Sequence, residues 1–371
     1  MKKFKSKEES EEDLLIAESV ISSISDENLI AAKNFLDYLD DYKRLNKLYN
    51  TYIVGVKDSL HNTKNGRMYA NYNIDGAVTG RLSNSGANSK RGGGAEGKLG
   101  VSFHTLPREQ VDFNVREYVV APPGWDFITI DKKAMELRVL AHVANERNMI
   151  KAFESRLDLH TYSAAMTFNK DPKDVTKEER QIAKAVSFLT VYGGEAYTLA
   201  NKQHISEARA QRIINSWFDA YPGVRDYMAT VNDYINQFKS AKTIFGRYRH
   251  LPNIDSPIKG IRKRAFRQGL NFTIQSPASD ILICALIGLY NKLNEGQFTA
   301  KIVGTVHDSI ELVSPKHETD RVIALAYNEL VNYPYMRENF GINLRVPLEI
   351  DVEVGTSFGG GTKYDLSRLS S

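Results

Sequence analysis

Two short stretches, far apart in the chain, each bring an aspartate to the end of a β-strand pattern. One is Asp126-Phe127-Ile128-Thr129-Ile130-Asp131; the other runs from Lys301 through Ile302, Val303, Gly304, Thr305 and Val306 to His307-Asp308. Two strand-end carboxylates can share a pair of divalent metal ions about 3.5–4 Å apart, the geometry that drives in-line phosphoryl transfer. Between them, Arg180, Lys184, Phe188 and Tyr192 recur every fourth residue. That spacing lines one slowly drifting helix face, on which the two cations can hold a triphosphate. Carboxylates for metal and cations for phosphate make a nucleotidyl-transfer site. Taken singly, each motif has a plainer reading. A strand-end aspartate is usually a turn residue or a helix N-cap, and Asp131 could cap a helix starting near Ala134.

A second line of donors lies on another helix pattern. Arg267, Asn271 and Gln275 are again four apart, downstream of Lys259, Arg262, Lys263 and Arg264. Donors so aligned can bond the purine N3 and pyrimidine O2 acceptors of the minor groove, which every correct base pair presents. The plainer reading is a solvated basic helix.

Taken in order, these stretches resemble the motifs of the family A DNA polymerases. Asp131 to His142, with Glu136-Leu137-Arg138 inside, is similar to motif A. Arg180 to Gly193 is similar to motif B, and Val306-His307-Asp308 to motif C. Thr79-Gly80-Arg81-Leu82-Ser83 resembles the primer–template motif, and Gly246-Arg247 through Pro252 a fingers segment. The resemblance implies that Asp131 and Asp308 bind two Mg2+ ions. It places Arg180, Lys184 and His160 on the triphosphate, with Lys184 also protonating the leaving pyrophosphate. Phe188 packs against the sugar and base, and Tyr192 stacks near the template base. Glu136 is the steric gate against a ribose 2′-hydroxyl. Arg81, Arg267, Asn271, Gln275, His307 and Arg247 face DNA.

The chain departs from the family pattern at several places. Lys132-Lys133 stand where Tyr-Ser is usual and add positive charge near the phosphates. Ser309 stands where a Glu follows His-Asp, so that carboxylate's role is lost or passes to Glu311. Leu189 stands where a Gly is frequent.

The elements that must position these residues can be read coarsely. Strands bracket a helical insertion: a helix over 27–50, a long one from Ala134 to Phe153, and a capping box, Thr176 to Glu179, before the Arg180 segment. Helices follow at 262–274 and 276–295, then a hairpin turning at His307-Asp308. A helix at 317–332 and a strand alternating over 344–354 close the pattern. The stretch 83–99, with Lys90, Arg91 and Lys98, reads as a flexible basic loop, and the charge-dense residues 1–13 as a solvated start.

The expected fold class is therefore α+β: a right-hand polymerase core with an antiparallel-sheet palm and helical fingers, the thumb mostly absent. Residues 1–50 are expected as a thumb base, 51–158 and 276–371 as palm, and 159–275 as fingers. No exonuclease domain is expected.

Bulk properties agree without deciding. The 371 residues are 42% apolar and 25% charged, as in soluble globular proteins. A net charge of +4 is too small to establish nucleic-acid binding by itself. The single cysteine, Cys284, allows no internal disulfide and sits in an apolar run as a core thiol. No membrane span or signal peptide is read, and the expected location is the cytoplasm of a bacterium or a phage-infected host cell. The expected partners are primer–template DNA, deoxynucleoside triphosphates and a second polypeptide supplying thumb or exonuclease. The competing readings are a single-subunit RNA polymerase, against which Glu136 and the Arg81 motif argue, and a catalytically silent DNA-binding scaffold.

Overall fold

The structure, a computed structural model, describes residues 27–63, 65–86, 88–89, 97–107 and 114–370. The charge-dense start at 1–13 and Lys90 and Arg91 of the basic loop lie outside the described residues. The chain divides into two compact units, Met1–Asn71 with Ser85–Ser102, and Tyr72–Asn84 with Phe103–Ser371.

In the first unit, α1 (Glu27–Lys47) runs on through a π-helical stretch, Leu48–Val54, into α2 (Gly55–Thr63). Leu48 and Tyr52 are buried, whereas Phe35, Tyr38 and Tyr42 of α1 are exposed. The amphipathic helix expected over 27–50 is thus present, with much of its apolar side open.

The second unit is built on a five-stranded antiparallel sheet. Its strands are β1 (Trp125–Lys132), β2 (Lys301–Val306), β3 (Ser309–Pro315), β4 (Ile350–Gly355) and β5 (Thr362–Lys363), in the order β5-β4-β1-β3-β2. Period-two alternation sorts the faces. Ile128, Ile130, Ile310, Leu312, Ile350 and Val352 point into one core with Leu282, Leu289 and Val322. Thr129 and Asp131 point the other way. The register sets Asp131 opposite Ser309 on one side and Asp351 on the other.

The elements follow the sequence reading with four corrections, three in helices and one in a strand. The helix expected from Ala134 to Phe153 is two, α3 (Met135–Val143) and α4 (Arg147–Glu154). Asn145, in the left-handed region at φ 46°, breaks the run, and the Glu146 carboxylate caps the second helix by accepting from Asn148 N at 2.9 Å. After α5 (Leu159–Phe168), α6 (Lys177–Val191), α7 (Ala196–Gln203), α8 (Glu207–Ala220) and α9 (Pro222–Phe238), the two helices expected at 262–274 and 276–295 are one, α10 (Lys259–Glu295). Pro277 lies inside it. Proline removes one backbone donor, but Ile274, Ser276 and Ala278 around it are buried, and that packing holds the helix through the lesion.

By length and composition α10 could cross a membrane, yet 78% of its apolar window is buried inside the protein, as a core helix would be. The helix expected at 317–332 is α11 (Thr319–Tyr327) followed by a π-helical stretch, Asn328–Asn332, and α12 (Pro334–Phe340) comes after it. The strand expected over 344–354 starts only at Ile350. Pro347 breaks the alternation, and side chains hold the preceding backbone instead: Arg345 N donates to His142 Nδ1 at 3.2 Å, and Arg138 donates to the Pro347 carbonyl.

A second core gathers the helical part around Trp217, Tyr221, Ile182, Leu199 and Met149. It fixes α6 by its Ile182, Ala183 and Val186 side, which leaves Arg180 and Lys184 facing out.

The capping box ahead of α6 is present: Glu179 N donates to Thr176 Oγ1 at 3.1 Å and Thr176 N to Glu179 Oε2 at 3.0 Å. Replacing Thr176 with Ala should lower stability by about 1 kcal/mol in urea denaturation without a change of fold. An unchanged midpoint would show that the cap contributes nothing there.

Candidate active site

The site grows from the end of β1 and the turn between β2 and β3. Because Asp131 stands opposite Ser309, Asp308 in the turn lies one residue along from Asp131's cross-strand partner. The turn is tight: His307 sits in the left-handed region at φ 57°. Both aspartates keep access to solvent, Asp308 with 37% of its side chain exposed.

Glu136, in the first turn of α3, is the best-connected side chain here, and its carboxylate is nearly buried. Arg81 Nη2 donates to its Oε1 at 2.8 Å, Tyr192 Oη to its Oε2 at 3.1 Å, and Gln275 Nε2 to Oε1 at 3.4 Å. The same Arg81 nitrogen lies 3.6 Å from Asp308 Oδ1. Burial, and then the negative charge of Glu136, push the Tyr192 phenol up to about 12. Tyr192 therefore remains a hydrogen-bond donor across the physiological range. Five residues singled out in the sequence, 81, 136, 192, 275 and 308, form one network.

Tyr192 ends α6, and Gly193 after it has φ 65°. A Cβ there would fall 2.7 Å from Arg267 Cγ, so this glycine serves both the turn and the approach of α10. Arg267, Asn271 and Gln275 run along α10 from that contact to Glu136. Asn271 Nδ2 is buried without a hydrogen-bond partner.

At the other end of α6, Arg180 donates to both oxygens of Asp158, at 2.7 and 3.1 Å. Asp158 also caps α5, accepting from Thr161 N at 3.0 Å. These donors outweigh desolvation and hold its carboxyl well below the usual range. The His160 ring lies near Phe188, ring centroids 6.1 Å apart, and its buried Nδ1 has no partner among the described residues. Burial lowers its pKa, with Arg180 and Lys184 adding to the effect against Asp158. The structure thus brings His160, Arg180, Lys184 and Phe188 to one place.

Arg247, expected on DNA, is engaged with Asp280: its Nη2 donates to Oδ1 at 2.7 Å. The extra positive charge expected from Lys132 and Lys133 is not free. Lys133 Nζ pairs with Asp351 at 3.1 Å, as Lys363 Nζ does at 3.2 Å. The Lys132 ammonium turns to the core face, where its Nζ is buried with no hydrogen-bond partner among the described residues. Burial pulls its pKa down to about 7 against the opposing charge of Asp308.

Beyond Ser309, Glu311 is buried, and desolvation raises its pKa to about 7. Ser309 Oγ lies 2.6 Å from Glu311 Oε1 and 2.9 Å from the Val306 carbonyl, and Thr129 Oγ1 is 2.6 Å from Oε2. One hydroxyl proton cannot serve both Ser309 contacts. A protonated Glu311 donating to Ser309, with Ser309 donating to Val306, satisfies all of them. These groups line a cavity of about 520 Å3 together with Asp131, Asp351, Arg116 and Asn114.

Sequence reasoning missed Asp158 as the partner of Arg180, Asp351 beside Asp131, and Arg116 in the cavity wall. Asp351 could have been found, since the alternation of Ile350, Val352 and Val354 already assigns it to the polar face. Among the described residues, no cluster of three or more His, Cys, Asp or Glu is placed to hold a metal ion. The expected pair of aspartates is a smaller set.

A family model described as DNA polymerase family A matches residues 1–360. "DNA polymerase I, thermostable" of Thermus thermophilus is 31% identical over 331 residues, 89% of this chain and 37% of that protein. DNA polymerase I of Geobacillus stearothermophilus is 33% identical over 334 residues, 90% of this chain and 36% of that protein. The chain thus spans little more than a third of these curated relatives. Among solved structures, the POL domain of Pol1 from M. smegmatis, in complex with DNA primer-template and dNTP, superposes with a TM-score of 0.75. It is 28% identical and covers 91% of this chain and 56% of that one.

Lys132 yields a pH-dependent expectation. Its folded pKa lies below its ordinary value of 10.5, so the unfolded chain binds more protons between about pH 7 and 10.5. Stability contributed at this position therefore rises with pH through that window. Lys132→Met should be more stable than the parent at pH 6–7, by about 1–3 kcal/mol, with the gap closing toward pH 10. Urea denaturation of both proteins across that range checks it; a pH-independent gap would refute it.

Proposed function

This chain belongs to DNA polymerase family A, and from that premise we propose that it adds deoxynucleotides to a primer 3′ end under the direction of a DNA template. One observation supports the reading above the rest: Arg81, Glu136, Tyr192 and Gln275 meet in one network that reaches Asp308. Residues scattered over almost 200 positions of the sequence (81 to 275) are thereby brought to the side of Asp308.

In this proposal Asp131 and Asp308 hold divalent metal ions, two Mg2+. Their oxygen donors suit such hard cations, and both carboxylates remain accessible. When bound, the ions would polarise the phosphoryl group, activate the attacking hydroxyl and offset the charge that develops.

The chain's own residues do the rest. Arg180 and Lys184, beside His160, bind and orient the triphosphate. As the bond from the primer 3′ oxygen to the α-phosphorus forms, the hydroxyl proton passes to solvent and the bond to the β-phosphate oxygen breaks. Lys184 gives that departing oxygen a proton. Phe188 and Tyr192 pack the nucleotide. Glu136, fixed from three sides, excludes a 2′-hydroxyl. Arg267, Asn271 and Gln275 test base-pair shape in the minor groove, and Arg81 and His307 hold DNA. Arg247 joins them only by giving up part of its pairing with Asp280.

We take 51–158 and 276–371 as palm, 159–275 as fingers and 1–50 as thumb base, acting in the cytoplasm. The exposed Phe35, Tyr38 and Tyr42 offer an apolar face for the second polypeptide that we include in this proposal.

Primer extension with Mg2+, using deoxy- and ribonucleotides side by side, tests the reading. Asp131→Asn and Asp308→Asn should each leave primer–template binding nearly intact and lower extension by orders of magnitude, since each loses an anionic ligand. Near-parental extension by either variant would refute the assignment. A parent protein that binds primer–template but never extends it would favour the scaffold reading.

Glu136→Ala should raise ribonucleotide incorporation relative to deoxyribonucleotide. An unchanged ratio would remove Glu136 from the gate.

A further inference from the structure

The mechanism above leaves unexplained what holds the turn carrying Asp308. Among the described residues its supporting strand, β2, is the outermost of the sheet, with β3 on one side only. An edge strand presents N–H and C=O groups with no ladder partner, and such strands fray or slip unless something covers them. Here the cover is two side chains. Thr305 N donates to Tyr72 Oη at 3.0 Å, and Tyr72 Oη donates back to the Thr305 carbonyl at 3.0 Å. The same carbonyl accepts from His104 Nε2 at 2.9 Å. One phenol thus mimics a neighbouring strand at the residue three before Asp308, and one imidazole doubles the bond.

The strand is shaped to receive them. Its register with β3 shifts between Ile302 and Gly304. A Cβ on Gly304 would lie 2.7 Å from Tyr72 Oη, with the next phenol atom at 3.8 Å, so only the hydroxyl needs the glycine. The rings continue toward the turn: Tyr72 stands edge-on to His104 at 5.8 Å between centroids, and His104 lies 5.6 Å from His307. Burial lowers the His104 pKa, which favours the neutral ring with its proton on Nε2, as the bond to a carbonyl requires.

We propose that Tyr72 and His104 are positioning residues of the nucleotidyl-transfer site, clamping Thr305 so that Asp308 and His307 stay in register with Asp131. The proposal rests on the two-aspartate reading. Neither residue touches the reacting atoms; they act through the backbone of β2. A displacement of about 1 Å at a reacting group can cost about a hundredfold in rate, so a loosened clamp should show in the chemical step before it shows in binding.

The test is single-turnover extension on a preformed primer–template, with nucleotide KM, primer–template Kd and amide exchange at Thr305 measured on the same proteins. Tyr72→Phe should lower the extension rate about tenfold, leave KM and Kd within about twofold, and speed exchange at Thr305. His104→Leu should do the same, whereas His104→Gln, whose amide can still donate to the carbonyl, should keep most of the rate. Gly304→Ala should be slow because its methyl meets the phenol oxygen. Adding Tyr72→Phe should remove that conflict, so the double variant should be no slower than Tyr72→Phe alone.

Additive losses in the double variant would overturn the clamp. So would parental rates in both Tyr72→Phe and His104→Leu, or losses that fall equally on rate, DNA binding and thermal stability. Asp308→Asn, run alongside, separates the two levels. If it extends normally, the two-aspartate reading fails; if it is inactive while the clamp variants are normal, only the clamp fails.

Discussion

Burying the Glu136 carboxylate is the constraint around which the site is organised. A charge taken out of water is tolerable only when charge-assisted hydrogen bonds replace the lost solvent. Glu136 sits at the start of α3, where the helix dipole favours an anion, but that covers only part of the cost. The remainder comes from Arg81, from Tyr192 at the end of α6, and from Gln275 in the middle of α10. Each partner belongs to a different element. Satisfying one carboxylate therefore fixes the relative position of three helices and the segment before them. The same arrangement carries Arg81 to within 3.6 Å of Asp308.

Electrostatic pairing is compatible with the proposed polyanion site on a chain of net charge +4. The cations around the site are matched locally. Arg180 is held by Asp158, Lys133 and Lys363 by Asp351, and Arg247 by Asp280. Most of these pairs are partly exposed, and such pairs contribute little net stability. They are accordingly cheap to exchange. In the proposed function, a phosphate reaching Arg180 would replace one set of anionic oxygens with another of similar geometry, and the guanidinium would already be oriented when it changed partner.

Much of this was legible in the sequence, for a physical reason. Side chains that act together on one helix must recur at helical spacing, so Arg180, Lys184, Phe188 and Tyr192 announce themselves, as do Arg267, Asn271 and Gln275. The strand-end aspartates were legible because strand patterns stop at them. What escaped was set by contacts between distant segments. Asp158 caps α5, and nothing local says that it also holds Arg180. Lys132 and Lys133 looked like added charge, because alternation alone does not say that one face is sealed and the other meets Asp351. The helix through Pro277 was missed because local propensity argues for a break there, while burial on both sides overrides it.

Tyr72 and His104 belong to that second class. A tyrosine and a histidine outside any recognised motif give no signal, yet the edge of a sheet has to be covered by something. Ending the sheet at β2 has a structural consequence: among the described residues, the strand that leads to Asp308 has a neighbouring strand on one side only. Adding a sixth strand would cover it but would also wall off the turn. Two side chains reaching a single residue cover the backbone where it would otherwise slip, and leave His307 and Asp308 open. The glycine opposite the phenol is the trace such an arrangement leaves in a sequence. An isolated glycine inside a strand pattern marks close approach of another group, and Gly304 marks the place where Tyr72 comes in.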